Sequence, residues 1–540
     1  MLRIMRRVST TAYLALLLTA SSLSAQTESP KLVVLIVVDQ MRADYIKRFQ
    51  HQWNAGLKRL VDDGAWFQQA AYPYFQTNTC VGHSTIATGS LPESHGIVGN
   101  NWYDRAESRL RACADDPEGR LLTYDNPVDA TQGPGSLLVP TLGDELRAQA
   151  GARVVSMSMK PRVGVMLAGH RADMALWRQE TAWVTSAAYA AAPVPFVARF
   201  LDANPVADDL GEIWSRAMPE DTYLFDGSVD VSRPFDGWAT GLPHPLVGRD
   251  ESADQLFYDK WAASPLSNDY LGRLAIVAVN ELDLGQREAT DYLALGLSAL
   301  DWAGHRFGPK SHEVQDVLFR LDLMLGRLLD DLDAAVGPDR YVVALSADHG
   351  VTPIPERRAR LADAGRIPAQ RIVDAAEAAM REEFGPGEYV AQFEEQDFYF
   401  APGVYARLLA DPSALAAVSG AIEAIVGVAK VYRGDTIRER RDTGDSIERA
   451  LARGYYPGRS GDLLVVLRPY WTTSTNAAGH GTSYGYDTRV PILFMGAGVT
   501  PGHYLAEVTP ADIAPTLAEI VGITLARTDG RVLTEALDNP

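Results

Sequence analysis

Leu32-Val33-Val34-Leu35-Ile36-Val37-Val38-Asp39 is an unbroken aliphatic run that ends in a carboxylate. A strand with one face in water alternates apolar and polar residues, so a run without alternation reads as a central strand covered on both faces. Comparable runs follow at Arg153–Met157, Asp291–Leu297 and Tyr341–Leu345, then at Leu463–Leu467 and Val490–Met495. Helical patterns lie between them. In 314–332, Leu318, Leu321, Leu325, Leu328 and Leu332 recur at the spacing of one helix face. Strands alternating with helices predict an α/β fold, a three-layer αβα sandwich around a mostly parallel central sheet. In such folds ligands collect at the carboxyl ends of the strands.

Two regions break this rhythm and read as inserted cap segments. Residues 196–262 are rich in Pro, Asp, Gly and Trp with little periodicity, which suggests an insertion over the site face. Residues 365–457 contain a helical pattern at Ile372–Glu383, aromatic strand-like segments and a second helical pattern at Ser413–Val426, the signature of a small α+β module. The core is then divided into 26–195, 263–364 and 458–540. At 540 residues the chain exceeds one simple domain and has room for this arrangement.

The composition is 46% apolar and 22% charged, ordinary for a folded soluble protein, and excludes fibrous, disordered and polytopic membrane classes. A formal charge of −19 argues against nucleic acid as a partner, because affinity for a polyanion needs clustered Lys and Arg. A small anion remains compatible if positive charge is sunk into a site. Residues 1–25 have the parts of an export signal: Arg3, Arg6 and Arg7, the apolar stretch Ala12–Ala20, and a small-residue end at Ser24-Ala25. Its apolar stretch is short for a membrane span, so cleavage and a periplasmic or secreted protein without a stable anchor are expected. In such a compartment the two cysteines, Cys80 and Cys113, are expected to pair.

Chemistry has to come from the strand ends. Asp39 follows the first strand, Asp301 and His305 lie in Asp301-Trp302-Ala303-Gly304-His305, Asp348 and His349 follow Tyr341–Ser346, and His480 precedes the last core strand. Singly, each has an ordinary reading as a helix cap, a turn residue or a satisfied polar group. Together they take three of only ten histidines and set them beside acids at strand ends. Imidazole nitrogen with carboxylate oxygen suits zinc, and six ligands are too many for one four-coordinate ion, so two ions are expected. Two metals about 4 Å apart clamp the attacking and leaving oxygens of phosphoryl transfer. Thr79, in a loop entering a short helix, is the candidate nucleophile, placed where free N–H groups favour an anion. A metal beside its hydroxyl would remove the need for a general base, so His83 reads as a packing residue.

With these motifs in this order, the chain resembles the alkaline phosphatase superfamily. The resemblance is to the branch with a threonine nucleophile and a D…D-x-x-x-H…D-H…H zinc set, shared by nucleotide pyrophosphatase/phosphodiesterases and PafA-type alkaline phosphatases. The resemblance spans the core from Val33 to Leu517 and includes Gly89-Ser90-Leu91-Pro92-Glu93-Ser94-His95-Gly96. It implies that Asp39, Thr79, Asp348 and His349 surround one zinc, while Asp301, His305 and His480 hold the other. It further implies Asn100, Lys160 and Arg162 as phosphate-binding groups, the last two favouring monoesters. The expected enzyme is a zinc-dependent alkaline phosphatase acting on small phosphate monoesters through a phosphothreonine, as a monomer or small homo-oligomer. Its nearest rival is a phosphodiesterase or nucleotide pyrophosphatase on the same dizinc site. A sulfatase is disfavoured because Thr79-Cys80-Val81-Gly82-His83 lacks C/S-x-P-x-R. A non-catalytic zinc-stabilised binding protein is a remote alternative.

Overall fold

The computed structural model describes residues 29–538 apart from 229, 360 and 361, so the expected leader at 1–25 lies outside the described residues. Its centre is a ten-stranded sheet. In spatial order the strands are Gly502–Val508, Ala65–Ala70, Ile492–Gly496, Tyr341–Ser346, Leu32–Val38, Asp291–Leu297, Val154–Ser158, Met174–Gln179, Ala182–Ser186 and Leu121–Thr123. The five strands from Tyr341–Ser346 to Met174–Gln179 run parallel, and antiparallel pairs flank them on both sides. The aliphatic run 32–38 is at the middle of this block, and every residue in it is fully buried. Its lack of alternation is thus accounted for by helices on both faces.

Register sets the ends of these strands level. Leu32 pairs with Asp291 on one side and Tyr341 on the other, and Val38 pairs with Leu297. The main chain stays paired past the strand, with Asp39 N–H donating to Leu297 O at 3.0 Å. On the next strand Gly296 pairs with Ser158. Two residues further on, Lys160 comes level with Ser298, and therefore with Asp39. The carboxyl edge of the sheet presents these groups side by side.

The helix expected at 314–332 spans His312–Ala335, with the Ser311 hydroxyl capping Val314 N–H at 3.2 Å. The leucine stripe Leu318, Leu321, Leu325, Leu328 and Leu332 is buried. The stretch at 196–262 contains the helices Pro195–Ala203 and Gln255–Ala262 and packs on this helix: Trp214 Nε1 donates to Asp316 Oδ2 at 2.7 Å. It also reaches the end of the Ala299–Phe307 helix, where Trp238 stacks on His244 with ring centres 4.3 Å apart and His244 in turn stacks on Phe307. No described helix is long and apolar enough to cross a membrane.

One strand assignment is corrected. Leu463–Leu467, expected in the core at 458–540, belongs instead to a separate four-stranded sheet ordered Val390–Glu394, Asp397–Phe400, Leu463–Leu467 and Val428–Arg433. The helices Ala369–Phe384 and Pro412–Glu423 close over it, with Ile372, Met380, Phe398, Val418 and Val465 in a hydrophobic cluster of their own. The run is as aliphatic as a core strand because it is central in this smaller sheet.

Cys80 and Cys113 form a disulfide across a sequence separation of 33. On chain-entropy grounds a loop of that size stabilises by about 3–4 kcal/mol. Replacing both cysteines by alanine is therefore expected to lower the calorimetric unfolding midpoint by several degrees. An unchanged midpoint would show that the tie contributes nothing.

Candidate active site

The level strand ends converge three carboxylates. Asp39, Asp301 and Asp348 are all buried. Asp301 leads His305 by one turn on the helix Ala299–Phe307, and His305 Nε2 lies 3.1 Å from Asp301 Oδ1. His349 Nε2 lies 3.2 Å from Asp348 Oδ2 and 3.6 Å from Asp39 Oδ1. The His480 ring stacks on His349 with centres 3.5 Å apart. Two donor sets result, Asp301 with His305 and His480, and Asp39 with Asp301 and His349; within each set the ligand atoms lie within 4.8 Å of one another. The first matches an expected triad. In the second, Asp301 is shared, so its carboxylate stands between the two sets.

The three imidazoles are oriented in the same way. His305 Nδ1 lies 2.9 Å from Ala478 O, His349 Nδ1 2.9 Å from Gly350 O, and His480 Nδ1 2.9 Å from Thr77 O. A carbonyl only accepts, so each Nδ1 carries the proton and each Nε2 offers a lone pair. Burial lowers the His349 pKa, and burial with its histidine neighbours lowers that of His480 well below the usual value, which favours the neutral rings that a metal ion requires. Lone pairs then face carboxylate oxygens. Asp39 Oδ1 and Asp348 Oδ2 are buried without any hydrogen-bond donor. Such an arrangement is repulsive by itself and becomes attractive around cations, so the residues fit a site for divalent metal ions.

Charge points the same way. Burial, reinforced by Asp301 and Asp348, raises the Asp39 pKa well above the carboxylate range. Burial acts to raise those of Asp301 and Asp348 too, but it is outweighed by His305 and Lys160 at Asp301 and by His349 and His83 at Asp348, so both are lowered. The Lys160 ammonium lies between Asp39 Oδ2 at 2.6 Å and Asp301 Oδ2 at 2.5 Å.

Thr79 is the first residue of the helix Thr79–Thr88, and its Oγ1 lies 3.3 Å from His349 Nε2. The N-cap is Asn78, not Thr79, so the threonine hydroxyl is not spent on capping. The helix lies tight against the Asp348 loop because Gly82 leaves room: a Cβ there would come 2.1 Å from Asp348 O. His83 Nδ1 lies 2.8 Å from Thr79 O and 3.3 Å from Asp348 Oδ2, which agrees with its reading as a packing residue. Asn100 is tied to the same helix start, its Oδ1 accepting from Cys80 N–H at 2.9 Å, which leaves its Nδ2 donors for a ligand. Lys160 precedes Pro161, the first residue of the helix Pro161–Ala168, and Arg162 follows with a buried Nε that has no partner.

Two contributors escaped the sequence reading. Gln40, held at φ 71°, donates from Nε2 to Asp301 Oδ1 at 2.5 Å and from its main chain to Asp348 Oδ1 at 3.0 Å. Its only sequence trace is Gly304, where a Cβ would come 1.8 Å from Gln40 Oε1. Glu395 and Gln396, from the smaller sheet, line a cleft of about 280 Å³ together with Asn78, Asn100, His305, Trp471 and His480.

Comparison with known proteins places this geometry in context. The chain is 32% identical to the alkaline phosphatase PhoV of Synechococcus elongatus, over 94% of this chain and 93% of that protein. It is 33% identical to the alkaline phosphatase PhoK of Sphingomonas sp, over 93% of this chain and 91% of that one. The crystal structure of wild-type alkaline phosphatase PafA superposes with a TM-score of 0.88 at 28% identity, covering 94% of this chain and 99% of that one. Residues 33–487 match the family described as Type I phosphodiesterase / nucleotide pyrophosphatase, and the chain belongs to that family.

Proposed function

We propose that the protein is a zinc-dependent alkaline phosphatase that hydrolyses phosphate monoesters through a phosphothreonine. The observation that carries this reading is the Thr79 hydroxyl at a helix N-terminus, not used in capping and hydrogen-bonded at 3.3 Å to the His349 imidazole of a candidate metal donor set. Its full-length likeness to proteins named alkaline phosphatases supports it. Asp39, Asp348 and His349, with Thr79, would hold one ion, and Asp301, His305 and His480 the other. Bound there, the two ions would supply Lewis-acid charge at the attacking and leaving oxygens. An export leader suits a periplasmic or secreted enzyme working on small phosphate esters.

The chain's own groups divide the remaining work. Thr79 Oγ attacks phosphorus in line, a Thr79–O–P bond forms as the ester P–O bond breaks, and the alcohol departs. Water then attacks the phosphothreonine and releases phosphate, restoring the hydroxyl. The Cys80 N–H is taken by Asn100, and the positive end of the Thr79–Thr88 helix would favour the developing oxyanion. Asn100 Nδ2 would donate to one non-bridging oxygen. Lys160 and Arg162 bind the remaining charge, which a monoester carries and a diester masks with carbon. Lys160 sits at the N-cap of its own helix, where Pro161 limits its backbone to an extended conformation; its ammonium pairs with Asp39 and Asp301 and would turn to phosphate once cations neutralise those carboxylates.

Thr79→Ala should lower kcat by at least about a thousandfold while leaving metal content, measured by elemental analysis, unchanged. Retained turnover would remove the threonine from its role. Lys160→Ala and Arg162→Ala should each reduce kcat/KM for an aryl phosphate about ten- to hundredfold and for its methyl diester much less. Equal losses on both substrates would favour a phosphodiesterase. Dialysis against a chelator should abolish activity, with zinc restoring it at two ions per chain; restoration at one ion would contradict the two-metal count.

A further inference from the structure

The smaller sheet meets the site through one tight turn. Strands Val390–Glu394 and Asp397–Phe400 pair antiparallel and are joined by only Glu395 and Gln396, with φ of 48° and 81°. Two consecutive left-handed residues make the turn that normally selects Asn-Gly, because side chains with a Cβ pay for that conformation. Here neither residue is glycine. The strain is offset by side-chain contacts with the core.

Each of four consecutive side chains engages a core loop that carries site groups. Glu394 Oε1 accepts from Asn101 Nδ2 at 3.0 Å. Glu395 Oε2 accepts from Asn78 Nδ2 at 2.7 Å and from Asn100 N–H at 2.9 Å. Gln396 Nε2 donates to Gly481 O at 2.8 Å, directly after His480, and Asp397 Oδ2 accepts from Gln76 Nε2. The carboxylate of Glu395 sits in a notch that Gly99 leaves open, where a Cβ would approach Oε2 to 2.5 Å. Burial, with Glu394 beside it, pushes the Glu395 carboxyl up to about 8, so the group is held there against a desolvation cost.

We infer that the Glu395–Gln396 turn is a positioning element for the phosphate subsite, fixing Asn100 and the Asn78–Thr79 helix start against the His480 loop. The inference rests on the reading of Asn100 as a phosphate-binding group. A single Glu395 oxygen bridges the main chain of Asn100 to the N-cap residue before Thr79. With Cys80 N–H holding Asn100 Oδ1, both ends of Asn100 are fixed and only its Nδ2 faces a ligand. The inserted module thereby acts on the reaction without contacting the transferred group.

The test separates folding from positioning. The E395N/Q396G variant relieves the turn and removes both clamping side chains. It should keep or raise the unfolding midpoint and keep its metal content, while losing about ten- to hundredfold in kcat/KM for an aryl phosphate. Affinity for inorganic phosphate, measured as competitive inhibition and by calorimetry, should fall in parallel. E395Q, which retains an acceptor oxygen, should recover most of the loss. In an N100A background, E395A should cost less than about twofold more. Additive losses in the double variant, or unchanged phosphate affinity in E395N/Q396G, would overturn the inference. Turnover surviving Thr79→Ala would instead overturn the catalytic reading, while the coupling of Glu395 to Asn100 would still be read from phosphate binding.

Discussion

Buried carboxylates crowded to about 3 Å from imidazole nitrogens are the constraint around which this molecule is arranged. Each carboxylate there loses hydration, and Asp39 Oδ1 and Asp348 Oδ2 gain no hydrogen-bond donor in return. The three backbone carbonyls that hold the Nδ1 protons make the conflict deliberate, because they remove the tautomer that would have relieved it. The arrangement is coherent only as a receptacle for positive charge. Lys160 supplies some of it, and the two donor sets are candidate sites for metal ions that would supply more.

Much of this was legible in the sequence. An aliphatic run without alternation can only be a strand covered on both faces, and an acid at its end has to fall on the sheet's carboxyl edge. Asp39, Asp301 and Asp348 with their histidines were found by that reasoning. The Leu463–Leu467 run was misplaced because periodicity reports burial on both faces but not which sheet provides the cover. Flanking strands such as Ala65–Ala70 mix Gln with aromatics and gave no comparable signal. Gln40 and the Glu395–Gln396 turn were missed for a different reason. Their partners lie hundreds of residues away, and no local rule relates Glu395 to Asn100. The glycines opposite them, Gly304 and Gly99, marked close approaches without naming what approached.

The two halves of the site are supported differently. Of the candidate metal donors, Asp39, Asp348 and His349 follow strands of the central sheet directly, Asp301 and His305 lie on the helix after another, and His480 comes from a loop. The groups proposed to bind phosphate sit on a helix start, a short loop and a turn after a strand, of which the first two are held by a disulfide, a hydrogen bond to Cys80 and a hairpin from the smaller sheet. The two groups of residues meet at Thr79, beside His349, and at Lys160, paired with Asp39 and Asp301.

The level strand ends also act as a ruler. Adding one residue inside Leu32–Val38 would carry Asp39 roughly 3.3 Å along the sheet and turn its side chain to the opposite face. Length changes are therefore intolerable within the central strands and cheap in the loops beyond them. A segment such as the one carrying the Glu395–Gln396 turn can thus reach the pocket from outside the central sheet without altering the spacing of the strand ends.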